Sequence, residues 1–260
     1  MITRKTSRVW IRGLRRVTTP TLGLLLAAAV AGCATQPAAP TAAPAAAPSP
    51  GDVRQAQELV EKARLAIEGF DAGPGNASFQ DLVRRARGVL IFPSTFRAAF
   101  IVGGQGGSGV FVVRDEQARR WNGPAFYTLG GASIGFQAGA ETSEVVALVM
   151  TERGMTALLN PNVTLGGDVR VVAGPMGVGV AGATAGLSAD IVPYARSKGA
   201  YAGVSLQGSV VNVRHDLNQA YYGQPVTPTD ILVRGLQHPH AMPLLAAVAR
   251  TAGTPIATGQ

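Results

Sequence analysis

The 260-residue chain has one cysteine, Cys33, so an intramolecular disulfide is impossible and a thiol-rich metal site is excluded. It has no acidic residue before Asp52 and no apolar run near the roughly 20 residues that a membrane-spanning helix needs. Histidine is scarce, with His215, His238 and His240 as the only three. The last two flank Pro239, which fits a solvated turn better than a metal site, since a metal would need further nitrogen, sulfur or carboxylate ligands. No metal site and no cofactor is expected. Two tryptophans are present, and Trp121 reads as a core residue at a strand end.

What the first 50 residues do contain is directional. Arg4, Lys5, Arg8, Arg12, Arg15 and Arg16 precede an apolar run from Leu22 to Gly32, the pattern of a secretory n-region and h-region. The run ends in Val30-Ala31-Gly32-Cys33, which resembles the bacterial lipobox. That resemblance implies a signal peptide over residues 1–32, a mature chain acylated at Cys33, and a cell-envelope location. Ala34 after the cysteine resembles the pattern that sorts lipoproteins to the outer membrane, facing the periplasm or the surface. More than one acyl chain makes such anchoring stable, at roughly 0.8 kcal/mol per buried CH₂.

The formal net charge of +8 depends on this segment. Residues 1–32 hold six of the 23 basic residues and none of the 15 acidic ones, so the rest of the chain is nearly balanced at +2. The basic total therefore gives no support to a nucleic-acid partner. Residues 33–50 form an Ala/Pro-rich linker with no charged residue and too little apolar surface to fold.

Residues 51–260 have the length of a single domain. A first helix is predicted from Asp52 as its cap, with Val53, Ala56, Leu59, Val60, Ala63, Ile67 and Phe70 on one face and a charge-balanced opposite face. The stripe is expected to pack on the rest of the domain, because a membrane-surface helix carries a cationic polar face. A second helix is predicted from Ser78, ending in Arg84-Arg85-Ala86-Arg87 with Gly88 as a left-handed cap. Those arginines either complement the helix dipole or form an anionic head-group site.

From Val89 to Val213 the pattern changes to short period-two runs, among them VLIF, GVFVVR, VVALVM, VRVVA and SVVNV, with glycine, proline and Asn-Pro breaks. One helical interruption is predicted over 151–159, and three short helices near 216–222, 228–233 and 240–251. The fold class is α+β: a mainly antiparallel, strongly curved or barrel-like glycine-rich β-sheet with N-terminal, one internal and C-terminal helices.

Two motifs invite catalytic readings. Gly177, Gly179 and Gly182 have the G-x-G-x-x-G spacing, but Gly186 and Pro193 fall where the phosphate-binding helix should run, so a strand is the better reading. The GGQGGSG run over 103–109 lacks the lysine of a phosphate loop. Ser133 sits in G-x-S-x-G with Asp168, Asp190 and His215 following in hydrolase order, but a nucleophile elbow needs a helix directly after the serine, and FQAGAE reads as strand. No catalytic residue is assigned, and an enzyme is not expected.

RARGVLIFP (85–93), FRAAFIVGGQGGSGVFVVR (96–114), WNGPAFY (121–127), SIGFQAG (133–139), TLGGDVRVVAGPMG (164–177), YARSKGAYAGVSLQG (194–208) and NQAYYG (218–223) together resemble the SYLF domain, also called the Ysc84 or DUF500 family. The resemblance covers most of residues 55–223. It implies lipid binding: eukaryotic members associate with phosphoinositide membranes, and the yeast type also binds actin. By that resemblance, the head-group candidates are Arg85, Arg87, Arg97 and Lys198, with Arg84 and Arg196 as neighbours. Arginine suits the task, because its planar fork meets two phosphate oxygens at once. The expected ligand in an envelope is an anionic phospholipid or a lipopolysaccharide phosphate. The alternatives are an envelope scaffold that binds a protein partner, and a serine hydrolase using Ser133.

Overall fold

The computed structural model describes residues 48–73, 76–99, 102–134, 139–172, 189–197, 200–203 and 206–253. Eight strands form one sheet: β1 (Gly88–Ala99), β2 (Val102–Asp115), β3 (Arg120–Ile134), β4 (Gly139–Val149), β5 (Asn162–Thr164), β6 (Ile191–Ser197), β7 (Ala200–Gly203) and β8 (Val210–Val213). Their order is β5-β8-β3-β2-β1-β4-β6-β7, and every pairing is antiparallel. The helices are α1 (Pro50–Asp71), α2 (Asn76–Arg85), α3 (Glu152–Leu158), α4 (His215–Tyr222), α5 (Pro228–Leu232) and α6 (Met242–Thr251). The expected mixed antiparallel architecture is present. The barrel-like alternative is not: β5 and β7 are edges, each with one neighbour, so the described sheet is open.

The sheet is nonetheless strongly curved. Leu129 on β3 and Ala195 on β6 line the same small cavity. They lie four strand spacings apart in the order, about 19 Å in a flat sheet.

The continuous apolar runs exist because the sheet is buried on both faces. Val89 and Ile91 pack with Val110, Val112, Phe126, Val146 and Leu148 beneath the helices. Their neighbours Leu90 and Phe92 face the other way, into a second core with Phe111, Tyr127, Leu129, Val145 and Leu158. Tyr127 is satisfied there, its hydroxyl donating to Leu158 O at 2.6 Å, while burial pushes its pKa up.

Helix α1 closes the helical face. Ala56, Leu59, Val60, Ala63, Ile67 and Phe70 are buried, as their spacing predicts, and Ala66 joins them. Its cap is Ser49 rather than Asp52: the Ser49 hydroxyl accepts from the Asp52 amide at 3.1 Å, and Pro50 occupies the first turn, where its missing N–H costs nothing. The helix meets α4, which packs against β3, and its last turn meets Arg196 on β6. Its 22 residues span about 33 Å, enough to cross the four strand spacings between.

Other expectations shift by a few residues. Helix α2 begins at Asn76 rather than Ser78. Gly88 is no left-handed cap: it opens β1, and a Cβ there would lie 2.6 Å from the Phe111 ring. The described part of VRVVA, residues 169–172, makes isolated bridges, Leu165 with Val169 and Val171 with Ile191. Helix α3 forms as expected, with the Thr151 hydroxyl accepting from Gly154 N at 3.1 Å. The 177–182 glycine motif, the expected signal peptide, the linker up to residue 47, Cys33 and Lys198 lie outside the described residues.

Candidate functional site

Strand β1 separates the predicted arginines. Arg84 and Arg85 end α2, and Arg87 precedes β1, at one end of the sheet. Arg97 lies ten residues further along, about 33 Å away along the strand. Arg84, Arg85 and Arg87 therefore form one group, and Arg97 belongs to another place.

The first group is enlarged by a hairpin. Arg114 near the end of β2 donates from Nη1 to Arg84 O at 2.6 Å, satisfying a carbonyl at the C-terminus of α2. Its backbone N–H donates to Arg87 O at 2.8 Å. The guanidinium also stands 5.4 Å over the Trp121 ring, which is buried as expected for a strand-end core residue. The β2–β3 turn then brings Arg119 and Arg120 to a cavity of about 220 Å³ lined also by Arg114, Asp115, Glu116 and Trp121. Arg119 has φ +50°, a left-handed conformation uncommon for a residue with a Cβ.

Charge at this end is mixed. Asp81 accepts from both Arg84, at 3.2 Å, and Arg85. Arg87 pairs with Glu152 at 3.0 Å and Glu116 at 4.0 Å, and Arg120 stands 3.9 Å from Asp115. Six arginines face four carboxylates, a local excess of two positive charges. These pairs are solvent-exposed, so each is worth on the order of 0–1 kcal/mol and an incoming anion can compete for the arginines.

Arg196 is structural. It donates to Glu144, lies 5.4 Å over the Phe70 ring, and sits where a Cβ on Gly69 would collide with its guanidinium. The signal for this was present in the register, which sets Glu144 directly across from Arg196. Arg97 points to the cavity-forming face and donates from Nε and Nη2 to Gln105 Oε1 at 3.0 and 2.6 Å.

The hydrolase constellation does not assemble. Ser133 lies within β3, paired with Gly103, while His215 follows β8, whose Val213 pairs with Tyr127. Six residues of strand separate those positions along β3, about 20 Å. Asp190 is occupied elsewhere: Thr151 Oγ1 donates to it at 2.6 Å and Arg170 N at 2.8 Å. Burial raises its pKa, but these bonds and Arg153 outweigh that and hold it below the ordinary carboxylate range. His238 and His240 border a turn, yet the turn is packed rather than simply solvated: the His238 ring lies 4.2 Å from Tyr221. Burial first, and then the neighbouring His240, lowers the His238 pKa. Among the described residues no cluster of His, Cys, Asp and Glu could hold a metal ion, and no helix is long and apolar enough to cross a membrane.

Residues 130–251, from the middle of β3 to the end of α6, match the family model Ysc84, described as "Las17-binding protein actin regulator". Over that stretch, which is just under half of its length, the chain is similar to the Ysc84 (SYLF) family. The match overlaps the 55–223 of the sequence resemblance only from residue 130 and extends past its end to take in α5 and α6. Over 166 residues, 62% of this chain, it is 34% identical to LAS seventeen-binding protein 3 of Saccharomyces cerevisiae. Over 162 residues, also 62% of the chain, it is 35% identical to SH3 domain-containing YSC84-like protein 1 of Homo sapiens. The Xenopus laevis protein of that name is 34% identical over 154 residues. The matches span 36% of the yeast protein and 47% of the human one, so the chain covers between a third and a half of the relatives it matches. The yeast relative is named for binding LAS seventeen and the human one for containing an SH3 domain, and neither name is that of an enzyme.

Proposed function

We propose that the chain is a binding module that docks on anionic phospholipid head groups through the arginine end of its sheet, with Arg84, Arg85 and Arg87 joined by Arg114, Arg119 and Arg120. One observation carries this reading. The Arg114–Arg84 hydrogen bond ties the α2 terminus to the β2–β3 turn, so arginines from two separate stretches of sequence face solvent at one end of the domain. Exposed arginines with weak acidic partners exchange those partners for phosphate oxygens at low cost. The lipobox resemblance at Cys33 adds a tether to a bacterial envelope membrane, the outer membrane by the residue that follows it, and the Ala/Pro-rich linker supplies reach. Arg97 and Arg196 leave the proposed head-group set, because they lie elsewhere and are held by Gln105 and Glu144.

A protein partner is the second reading, favoured by the name of the yeast relative, a LAS seventeen-binding protein. Co-sedimentation of residues 45–260, which form one compact unit, with zwitterionic and anionic vesicles at low and high salt separates the two. Head-group binding gives salt-sensitive sedimentation with anionic vesicles only, lost in Arg85→Glu/Arg87→Glu with the thermal midpoint unchanged. Absence of binding to either vesicle overturns this reading and moves the search to protein partners.

A further inference from the structure

The cavity on the concave face of the sheet belongs to no part of the proposed membrane surface. It measures about 110 Å³, and its floor is the end of the second core: Leu129, Val145, Ala195 and Leu206. Its rim is polar, and the register determines which charges stand there. Arg97 on β1 is the direct cross-strand partner of Gln105 on one side and of Glu141 on the other. Both Arg97 and Glu141 line the mouth, one strand spacing of about 4.8 Å apart.

Both charges are oriented by neutral groups. Gln105 Oε1 receives two bonds from Arg97, while its Nε2 donates to Ser209 Oγ, so the amide's direction is determined at both ends. Gly131 leaves the room this arrangement needs, since a Cβ there would lie 3.1 Å from Ser209 Oγ and 3.3 Å from Gln105 Nε2. Glu141 accepts from the Ser197 hydroxyl on the far side of the opening. The lining is mixed, with Thr95 and Ser143 adding to the polar rim, and an aimed guanidinium beside an aimed carboxylate above a small apolar floor offers a ligand two opposite charges and one apolar contact.

From this geometry we infer that the cavity is a binding site for a small zwitterion with a short branched aliphatic group, of the class of free valine or leucine. The ligand carboxylate meets Arg97, its ammonium meets Glu141, and the side chain enters over Leu129, Val145 and Leu206. Size agrees: a dry apolar cavity of about 150 Å³ takes the six carbons of benzene, so 110 Å³ takes roughly four. A simple anion would have to tolerate Glu141 at contact range, and a simple cation Arg97; the paired charges select a molecule that carries both.

Methyl NMR of the full chain, titrated with millimolar valine, 3-methylbutanoate and 2-methylpropylamine, tests this. The last two keep the branched aliphatic part and each lack one charge. The expected result is saturable shifts confined to Leu129, Val145 and Leu206 with valine, and affinities at least tenfold weaker for both analogues. Arg97→Gln and Glu141→Gln should each weaken valine by about tenfold or more; if one fails to fold, the other reads the same interaction. Ala195→Leu, which fills the floor and leaves both charges, should abolish binding. No saturable shift with valine overturns the inference, as does 3-methylbutanoate binding as well as valine. The vesicle result is independent, because none of these residues belongs to the arginine end.

Discussion

The two halves of the long central strands differ in almost every physical respect. Toward the β2–β3 turn, Val89–Phe92, Val110–Val113 and Val145–Val149 are apolar and buried on both faces. Toward the opposite end, β1 continues as Ser94–Ala99, β2 is rich in glycine from Gly103 to Gly107, and the start of β4 carries the exposed Ala140, Glu141 and Thr142. The boundary is Pro93, where β1 shifts register against both β2 and β4. A central strand cannot carry proline without losing a ladder bond, and the bulge absorbs that loss. One half stabilises the fold by burial. The other leaves Phe96 about half exposed beside Gly104 and Gly106, and places polar side chains around the cavity.

Mutations on the two sides of Pro93 should therefore diverge. Phe111→Ala, in a fully buried position, is expected to cost about 3–5 kcal/mol in urea unfolding. Gly109→Ala comes next: its Cβ would meet Ile91 O and the Phe92 ring at 2.4 Å, so a loss of about 1–3 kcal/mol or outright misfolding is expected. A loss under about 0.5 kcal/mol at Gly109 would show that the apolar half is looser than its packing indicates.

Asn218 tests the rim of that packed half. Strand β8 pairs with β3 only from Tyr127 onward, so the Phe126 backbone lacks a strand partner there. Asn218 replaces it, its Oδ1 accepting from Phe126 N at 2.9 Å, and Arg214 N donates to Phe126 O at 2.9 Å. Asn218→Leu should cost about 1–3 kcal/mol by leaving a buried N–H unsatisfied, with slower-exchanging neighbours becoming exchangeable at Phe126.

A smaller effect should appear with pH. The Asp190 pKa is depressed in the folded state, so its contribution is present above the unfolded value near 3.9 and is lost as pH falls through the folded value. Thermal midpoints of the parent chain and Asp190→Asn should converge below about pH 4, and a gap that persists unchanged as pH falls through that range would remove Asp190 as the cause. Smallest of all, Gly130→Ala in the glycine-rich half meets no atom within 4 Å and should change stability by less than about 0.5 kcal/mol. A large loss there would mean the surface is covered in the working state.

The elements were largely legible because local rules agreed with tertiary demands. The α1 stripe recurs at three and four and is buried, and the residues of VLIF, VFVV and VVALV enter the two cores alternately. The misses have physical causes. Ser49 and Pro50 compose a helix start that the Ala/Pro-rich stretch concealed. Gly88 reads locally as a cap, but the ring it must avoid, Phe111, is 23 residues away. The candidate arginines were legible as residues and not as a site: charge that concentrates in one third of the sequence is divided by a strand 12 residues long, and Arg114 carries no motif that announces its bond to Arg84.

The sequence by itself determined the antiparallel α+β class, the family resemblance and the apolar stripe of α1, because periodicity and turn residues act over a few neighbours. Only the tertiary structure decided which arginines share a surface and which charges meet over a cavity. Register and sheet curvature bring Arg97 beside Glu141, and bring Leu129 and Ala195 to one cavity from opposite sides of the sheet. Those placements depend on contacts between residues far apart in the chain, and no local pattern encodes them.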